Sequence, residues 1–326
     1  MMYHDLTLRD GSHAISHQLT EEMITNYCIF AESAGIPVVE VGHGNGLGAS
    51  SILIGESLLS DREMISIAKR HLKRTKLSVH IIPGIATIRR DIDPAIELGV
   101  DIFRVASHCT EASVTKTHME YLVSKGKTVY GVLMMSAACT VERLVEEAGK
   151  MKSYGAEAII IMDSSGSFVP REVSHRIGEL VKLGVPIGFH GHDNLRLSVA
   201  NSLAAIESGA SIIDTTLRGF GAGSGNTPLE IMIYLHETGV IDKPKVLEFC
   251  DNSRSSSFRS PICKPINILT SKHKLFGGFE KHILRAAEKY NVSYIKIIDE
   301  MCKNELIAGQ EDFIYVIASS LQSAQI

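Results

Sequence analysis

Gly155-Ala156-Glu157-Ala158-Ile159-Ile160-Ile161-Met162 sets a glycine just ahead of an apolar, β-branched run. The same arrangement stands at Gly35-Ile36-Pro37-Val38-Val39-Glu40-Val41 and at Gly99-Val100-Asp101-Ile102-Phe103-Arg104-Val105. It returns after Gly126, Gly184 and Gly209. Glycine ends a helix easily because it adopts the left-handed conformation without a Cβ penalty. A short apolar run after it reads as a strand covered on both faces, as in a parallel sheet. Residues 3–8 and 76–82 bring the strand count to eight. Amphipathic stretches lie between them, with a capping box at Ser60-Asp61-Arg62-Glu63 and acid in a first turn at Thr20-Glu21-Glu22.

Eight βα units predict an α/β chain whose residues 1–242 form a TIM (β/α)8 barrel. A doubly wound open sheet would use fewer units and carry a nucleotide fingerprint. Gly219–Asn226 is glycine-rich, but GxGxxG fits no register there, so it reads as a tight loop after strand 8, suited to an anion. From about Lys243 the rhythm stops. Residues 253–265 are rich in Ser and Pro and read as a connector; 280–290, 293–302 and 312–321 look helical. Residues 243–326 are therefore expected to form a small C-terminal helical domain.

The 326 residues carry a net charge of −4, which gives no electrostatic case for nucleic acid or an anionic membrane. No apolar run of about eighteen residues occurs and the opening MMYHDLTLRDG lacks a signal-peptide pattern, so a cytoplasmic protein is expected. The six cysteines are widely spaced without a CxxC, as for reduced thiols.

Two short motifs carry the chemistry. Leu6-Thr7-Leu8-Arg9-Asp10-Gly11-Ser12-His13 ends the first strand, and His190-Gly191-His192-Asp193-Asn194 ends the seventh. Reactive groups of a barrel sit where its strands end. Strand side chains alternate, so His190 and His192 point the same way. Strands 1 and 7 can supply one side-chain layer, so Asp10, His190 and His192 can converge on a divalent metal. Such a trio leaves three octahedral positions, two of which a 2-oxo acid can fill. Mn²⁺ or Mg²⁺ suits that oxygen-rich shell, although non-haem iron oxygenases use the same ligand types. Arg9 and Asp10 are adjacent, so both face the site only if the strand has already broken, a break assigned to Gly11.

Thr7-Leu8-Arg9-Asp10-Gly11-Ser12-His13 resembles the opening motif of 4-hydroxy-2-oxovalerate aldolases, within the DRE-TIM metallolyase superfamily. Val39-Glu40-Val41-Gly42-His43-Gly44, His108-Cys109-Thr110-Glu111-Ala112, Gly188-Phe189-His190-Gly191-His192, Gly219–Asn226 and Gly309-Gln310-Glu311-Asp312 resemble further family motifs, in order. The resemblance implies a carbon–carbon lyase of aromatic hydrocarbon catabolism that cleaves a 4-hydroxy-2-oxo acid reversibly to pyruvate and an aldehyde. It implies Mn²⁺, or Mg²⁺ or Co²⁺ in its place, on Asp10, His190 and His192. Arg9 would stabilise the enolate, His13 would act as general base, and Arg9, Ser164 and His190 would contact substrate. It also implies an acylating aldehyde dehydrogenase as partner, and a homo-oligomer is a further expectation.

Two positions depart from the family pattern. Family members carry a tyrosine in a Y-S-S-F-like segment where this chain has Phe276-Gly277-Gly278-Phe279, so proton delivery would fall to water or to a group such as His273. At the end of strand 3, His80 stands where relatives look aliphatic; facing the pocket it would suit a polar aldehyde, and otherwise it would be buried outside the barrel. Two rival functions remain at this level: a Claisen-type acyl-CoA/2-oxo acid synthase of the same superfamily, and a non-catalytic subunit of a dehydrogenase.

Overall fold

The computed structural model describes residues 1–236, 239–304, 306 and 310–323. Gly309 of the late motif lies outside them. Eight parallel strands close into a barrel in chain order: β1 (Met2–Leu8), β2 (Val38–Val41), β3 (Lys76–Ile81), β4 (Ile102–His108), β5 (Thr128–Met134), β6 (Ala158–Asp163), β7 (Ile187–Gly191) and β8 (Ile212–Thr215). The helices α1 (Glu21–Ala34), α2 (Asp61–His71), α3 (Asp93–Glu97), α4 (Lys116–Ser124), α5 (Val141–Ser153), α6 (Pro170–Leu180), α7 (Ser198–Glu207) and α8 (Leu229–Leu235) follow the strands in turn.

The expected start signals work as local chemistry. Ser60 and Glu63 exchange hydrogen bonds in a capping box on α2, and Thr20 accepts from the Met23 amide to cap α1. Gly35 ends α1 at φ 74°, where a Cβ would lie 2.9 Å from the Val240 carbonyl oxygen. Only glycine meets both conditions there.

Strand alternation sorts the two barrel faces. Leu77, Val79 and Ile81 pack outward with the helices, while Ser78 and His80 point inward. The lower interior is apolar, filled by Val38, Ile102, Tyr130, Ala158, Ile160 and Ile212. Two residues further along β2, β4 and β8 stand Glu40, Arg104 and Asp214, all buried. Charge thus begins one layer below the carboxyl ends of the strands.

The chain continues through α9 (Lys243–Asp251), α10 (Pro265–Lys272), α11 (Glu280–Tyr290), α12 (Tyr294–Lys303) and α13 (Glu311–Ser323). α9 packs on the barrel: Phe249 stacks on Phe30 with ring centroids 4.0 Å apart. Phe258, inside the connector, is buried against Tyr27 and Phe220. A second apolar core begins at Ile266 and joins α10–α13 through Phe279, Ile283, Ile298, Met301 and Ile314. This helical unit sits over the strand ends. Gly277 N donates to Ser164 O at 3.1 Å, and Ser271 Oγ donates to Ser165 O at 2.5 Å.

Candidate active site

β1 ends at Leu8, and the chain turns at Arg9 (φ −119°, ψ −74°) into a 3-10 segment, Asp10–Ile15. The break therefore precedes Gly11. What Gly11 provides is closeness: a Cβ there would lie 2.5 Å from the Phe220 ring. Both Arg9 and Asp10 are buried and turned to the same place, with Arg9 Nη1 donating to Asp10 Oδ1 at 2.9 Å.

Asp10, His190 and His192 come together as expected. One ligand atom from each lies within 4.8 Å of the others, and all three residues are buried. Each imidazole is oriented from behind. His190 Nδ1 lies 3.1 Å from Asp214 Oδ2, and His192 Nδ1 lies 3.0 Å from the Asp163 carbonyl oxygen. Those bonds place the Nδ1 protons on the far side and leave each Nε2 lone pair toward Asp10. His190 Nε2 is buried with no hydrogen-bond partner. An unpaired buried acceptor is costly unless something binds it, and a rear carboxylate on a histidine is a usual support for a metal ligand. The donor set fits a divalent cation.

Electrostatics agree. Burial works to raise the Asp10 carboxyl, but Arg9 and the nearby imidazoles outweigh it and hold it well below the usual range. Burial pushes His192 down to about 4, and it reaches about 3 at His13. Both rings are neutral at pH 7, the form needed by a ligand or a base.

Arg9 is held by three acceptors: Nε on Glu40 Oε1 at 2.7 Å, Nη1 on Asp10 Oδ1 and Nη1 on the Gly44 carbonyl at 3.1 Å. Its Nη2 is buried and without a partner, a donor kept in reserve. His13 lies in the 3-10 segment with its ring against the Gly44 backbone, edge-on to His17 at 4.9 Å. His17 stacks on His43 at 3.6 Å. His43 Nδ1 accepts from the Asn45 amide and its Nε2 faces the Gly55 carbonyl.

The loop after β8 lies against Asp10. Asn226 Nδ2 donates to Asp10 Oδ2 at 2.6 Å and the Ala222 amide reaches the same oxygen at 3.4 Å. The anion this glycine-rich loop holds is the chain's own carboxylate. Asn226 Oδ1 is itself buried and unpartnered. Neither Asn226, Glu40, Arg104 nor Asp214 was singled out for a role in the sequence. A buried acid or amide inside a strand-end run was the available signal.

A cavity of about 230 Å³ opens at the strand ends, lined among others by Ile54, Ile82, Ile85, Met134, Ser164 and Phe276. Ser164 Oγ accepts from the Met135 amide at 2.9 Å, so its own proton is available to a ligand. Phe276 reaches the same cavity from the C-terminal unit. His273 caps the end of α10 and is not among the lining residues. His80 is neither outside the barrel nor on the cavity wall. It is buried in the interior one layer below Ile82, with burial, Arg9 and Arg104 keeping it neutral.

Residues 1–253 match the HMGL-like family, and residues 273–323 match the DmpG-like communication domain. A 4-hydroxy-2-oxovalerate aldolase of Pectobacterium atrosepticum is 49% identical over 97% of this chain and 94% of its own length. The chain belongs to the 4-hydroxy-2-oxovalerate aldolase family. An aldolase of the same name from Spirochaeta aurantia is 46% identical over 98% of this chain and 95% of its length. Among solved structures, the carboxyl transferase domain of Rhizobium etli pyruvate carboxylase, with pyruvate and biocytin, superposes with a TM-score of 0.83. It is 15% identical and covers 100% of this chain and 61% of that one, a likeness of fold. No helix among the described residues is long and apolar enough to cross a membrane.

Proposed function

We propose that this chain is a metal-dependent pyruvate aldolase that cleaves 4-hydroxy-2-oxo acids reversibly to pyruvate and an aldehyde. The observation that carries this is the orphan pair His190 Nε2 and Arg9 Nη2, both buried beside Asp10. One is an acceptor waiting for a cation and the other a donor waiting for an anion. Asp10, His190 and His192 would hold a divalent ion, for which Mn²⁺, Mg²⁺ or Co²⁺ all suit the ligand set. When bound, the ion draws electron density from the 2-oxo group of the substrate.

The chain's own groups supply the rest. Ser164 Oγ–H donates to the substrate carboxylate. His13 takes the proton from the C4 hydroxyl as the C3–C4 bond breaks, and C4 leaves as the aldehyde carbonyl. The bonding pair moves toward C2, where Arg9 Nη2 donates to the developing enolate oxygen in a water-poor site. Protonation at C3 then completes pyruvate. Phe276 cannot supply that proton, so the proton comes from water. The cavity is walled mainly by Ile54, Ile82, Ile85, Val114 and Met134, with Asn45, Ser107 and His108 among its polar members, which favours a largely apolar aldehyde, with Phe276 and Ile82 setting its size and His80 acting only from beneath.

The C-terminal helical unit, which we divide from the barrel between Phe258 and Ile266, is the part suited to an acylating aldehyde dehydrogenase partner. The test is pyruvate release across 4-hydroxy-2-oxo acids of varied chain length, with and without added Mn²⁺. Metal-dependent release supports the aldolase. Free thiol released from acetyl-CoA plus a 2-oxo acid would instead favour the Claisen-type synthase, and neither product would favour a non-catalytic subunit.

A further inference from the structure

Arg104 is fully buried inside the barrel and is neither a lining residue of the cavity nor one of the three candidate metal ligands. In the closed ring β1 to β8, β4 and β8 stand opposite one another. The Arg104 guanidinium, from β4, crosses that diameter to ion-pair with Asp214 on β8 through Nη2 and Oδ2. Its Nη1 lies 3.5 Å from Glu40 Oε2 on β2, close enough for charge attraction but without a hydrogen bond.

Each carboxylate has a second engagement on the active-site side. Glu40 holds Arg9 through Oε1 at 2.7 Å. Asp214 orients His190 through Oδ2 at 3.1 Å. One guanidinium therefore stands behind both the donor intended for the enolate and one candidate metal ligand.

A purely structural role is a poor account of this. A buried ion pair is weak evidence for stability, and apolar residues of similar volume commonly serve as well. The layer just below is filled that way, by Ile102, Ile160 and Ile212. Charge bookkeeping points elsewhere. Among the groups paired here, Arg9 and Arg104 against Asp10, Glu40 and Asp214 leave one net negative charge, and metal-bound imidazoles add none. A divalent cation turns that into one positive charge, matched to an anionic 2-oxo acid. Without Arg104 the loaded site would be neutral.

We propose that Arg104 is a positioning residue for the aldol reaction, aligning Arg9 through Glu40 and His190 through Asp214 and keeping the metal-loaded site positive toward a 2-oxo acid. This rests on the aldolase reading above. The test uses the full chain saturated with Mn²⁺, comparing wild type with R104M, R104K and R104Q. It measures kcat and KM for the 4-hydroxy-2-oxo acid, pyruvate affinity by the electron paramagnetic resonance of bound Mn²⁺, and thermal unfolding.

R104M is expected to bind pyruvate at least tenfold more weakly and to lose about 100-fold in kcat. R104K keeps the charge but loses the two-armed reach, so pyruvate affinity should recover to within about threefold while kcat stays about tenfold low. R104Q serves in place of R104M should that variant not fold. Folded neutral variants with pyruvate affinity and kcat within twofold of wild type overturn the proposal, as does a fall in melting temperature with no other change. Wild type that shows no Mn²⁺-dependent pyruvate binding overturns the aldolase reading and this proposal together.

Discussion

The Lys281 ammonium lies 2.7 Å from the His13 carbonyl oxygen and 3.0 Å from Ser16 Oγ. Lys281 belongs to the first turn of α11, whereas His13 belongs to the 3-10 segment that ends β1. The C-terminal unit thus grips the backbone of the proposed base directly. A charge-assisted hydrogen bond of this kind contributes about 1.5–3 kcal/mol. Only part of that need reach the transition state. K281M is expected to lower kcat about tenfold and to lower the melting temperature by about 2–4 °C. Steady-state rates alongside thermal unfolding check it; equal rates would show that His13 needs no support from α11.

Phe276 lines the cavity at the position to which the resemblance assigns a phenol. If proton delivery to C3 falls to water in this chain, restoring a donor should accelerate that step before any other. F276Y is expected to raise the rate of deuterium entry into the pyruvate methyl group by about tenfold or more, in line with general acid catalysis. Nuclear magnetic resonance of pyruvate in deuterated buffer, with enzyme and Mn²⁺, reads this without any aldehyde present. An unchanged exchange rate, or unchanged product chirality in the synthetic direction, would mean that the phenol is dispensable here.

The barrel was legible because a doubly covered parallel strand must be apolar throughout, and a glycine before each run marks the helix end. Asp10, His190 and His192 were legible because strand ends are where a barrel presents chemistry. Arg104 and Asp214 were not, since a single charge inside an apolar strand names no partner: Arg104 pairs with residues 64 and 110 positions away in sequence. α9 reads as part of the appendage because the glycine rhythm stops before it, yet Phe249 finds its partner in Phe30. α10 is hidden in the sequence for a related reason. Pro265 at its start reads as the end of a connector, although proline suits a first helical turn.

Asp5 faces outward from β1 into the packing between barrel and α1, fully buried. Burial lifts its carboxyl to about 7 from 3.8, with the Thr7 amide, 3.0 Å from Oδ1, pulling the other way. Between those two values the folded chain binds a proton that the unfolded chain has released. Stability from this group is therefore present below about pH 4 and lost as pH rises toward 7. D5N removes the titration while keeping an acceptor for the Thr7 amide. Relative to wild type, D5N should gain about 2.6 kcal/mol on going from pH 5 to pH 8. Urea unfolding of both proteins at the two pH values measures the difference directly. No difference between the two pH values would mean that Asp5 is ionised in the fold.

Metal binding itself has a signature independent of turnover. An ion held by Asp10, His190 and His192 binds the folded chain only, because the unfolded chain separates residue 10 from residue 190. Mn²⁺ at about 100 times its dissociation constant should then stabilise the fold by about 2.7 kcal/mol. For a chain of this length that corresponds to a rise in melting temperature of about 4 °C. D10A, H190A and H192A should each lose most of the rise. E146Q, an exposed carboxylate change on α5, should keep it. Chelation should return the wild type to its starting temperature. If D10A showed the full Mn²⁺ shift, the ion would be bound elsewhere, and the unpaired Nε2 of His190 would need another occupant.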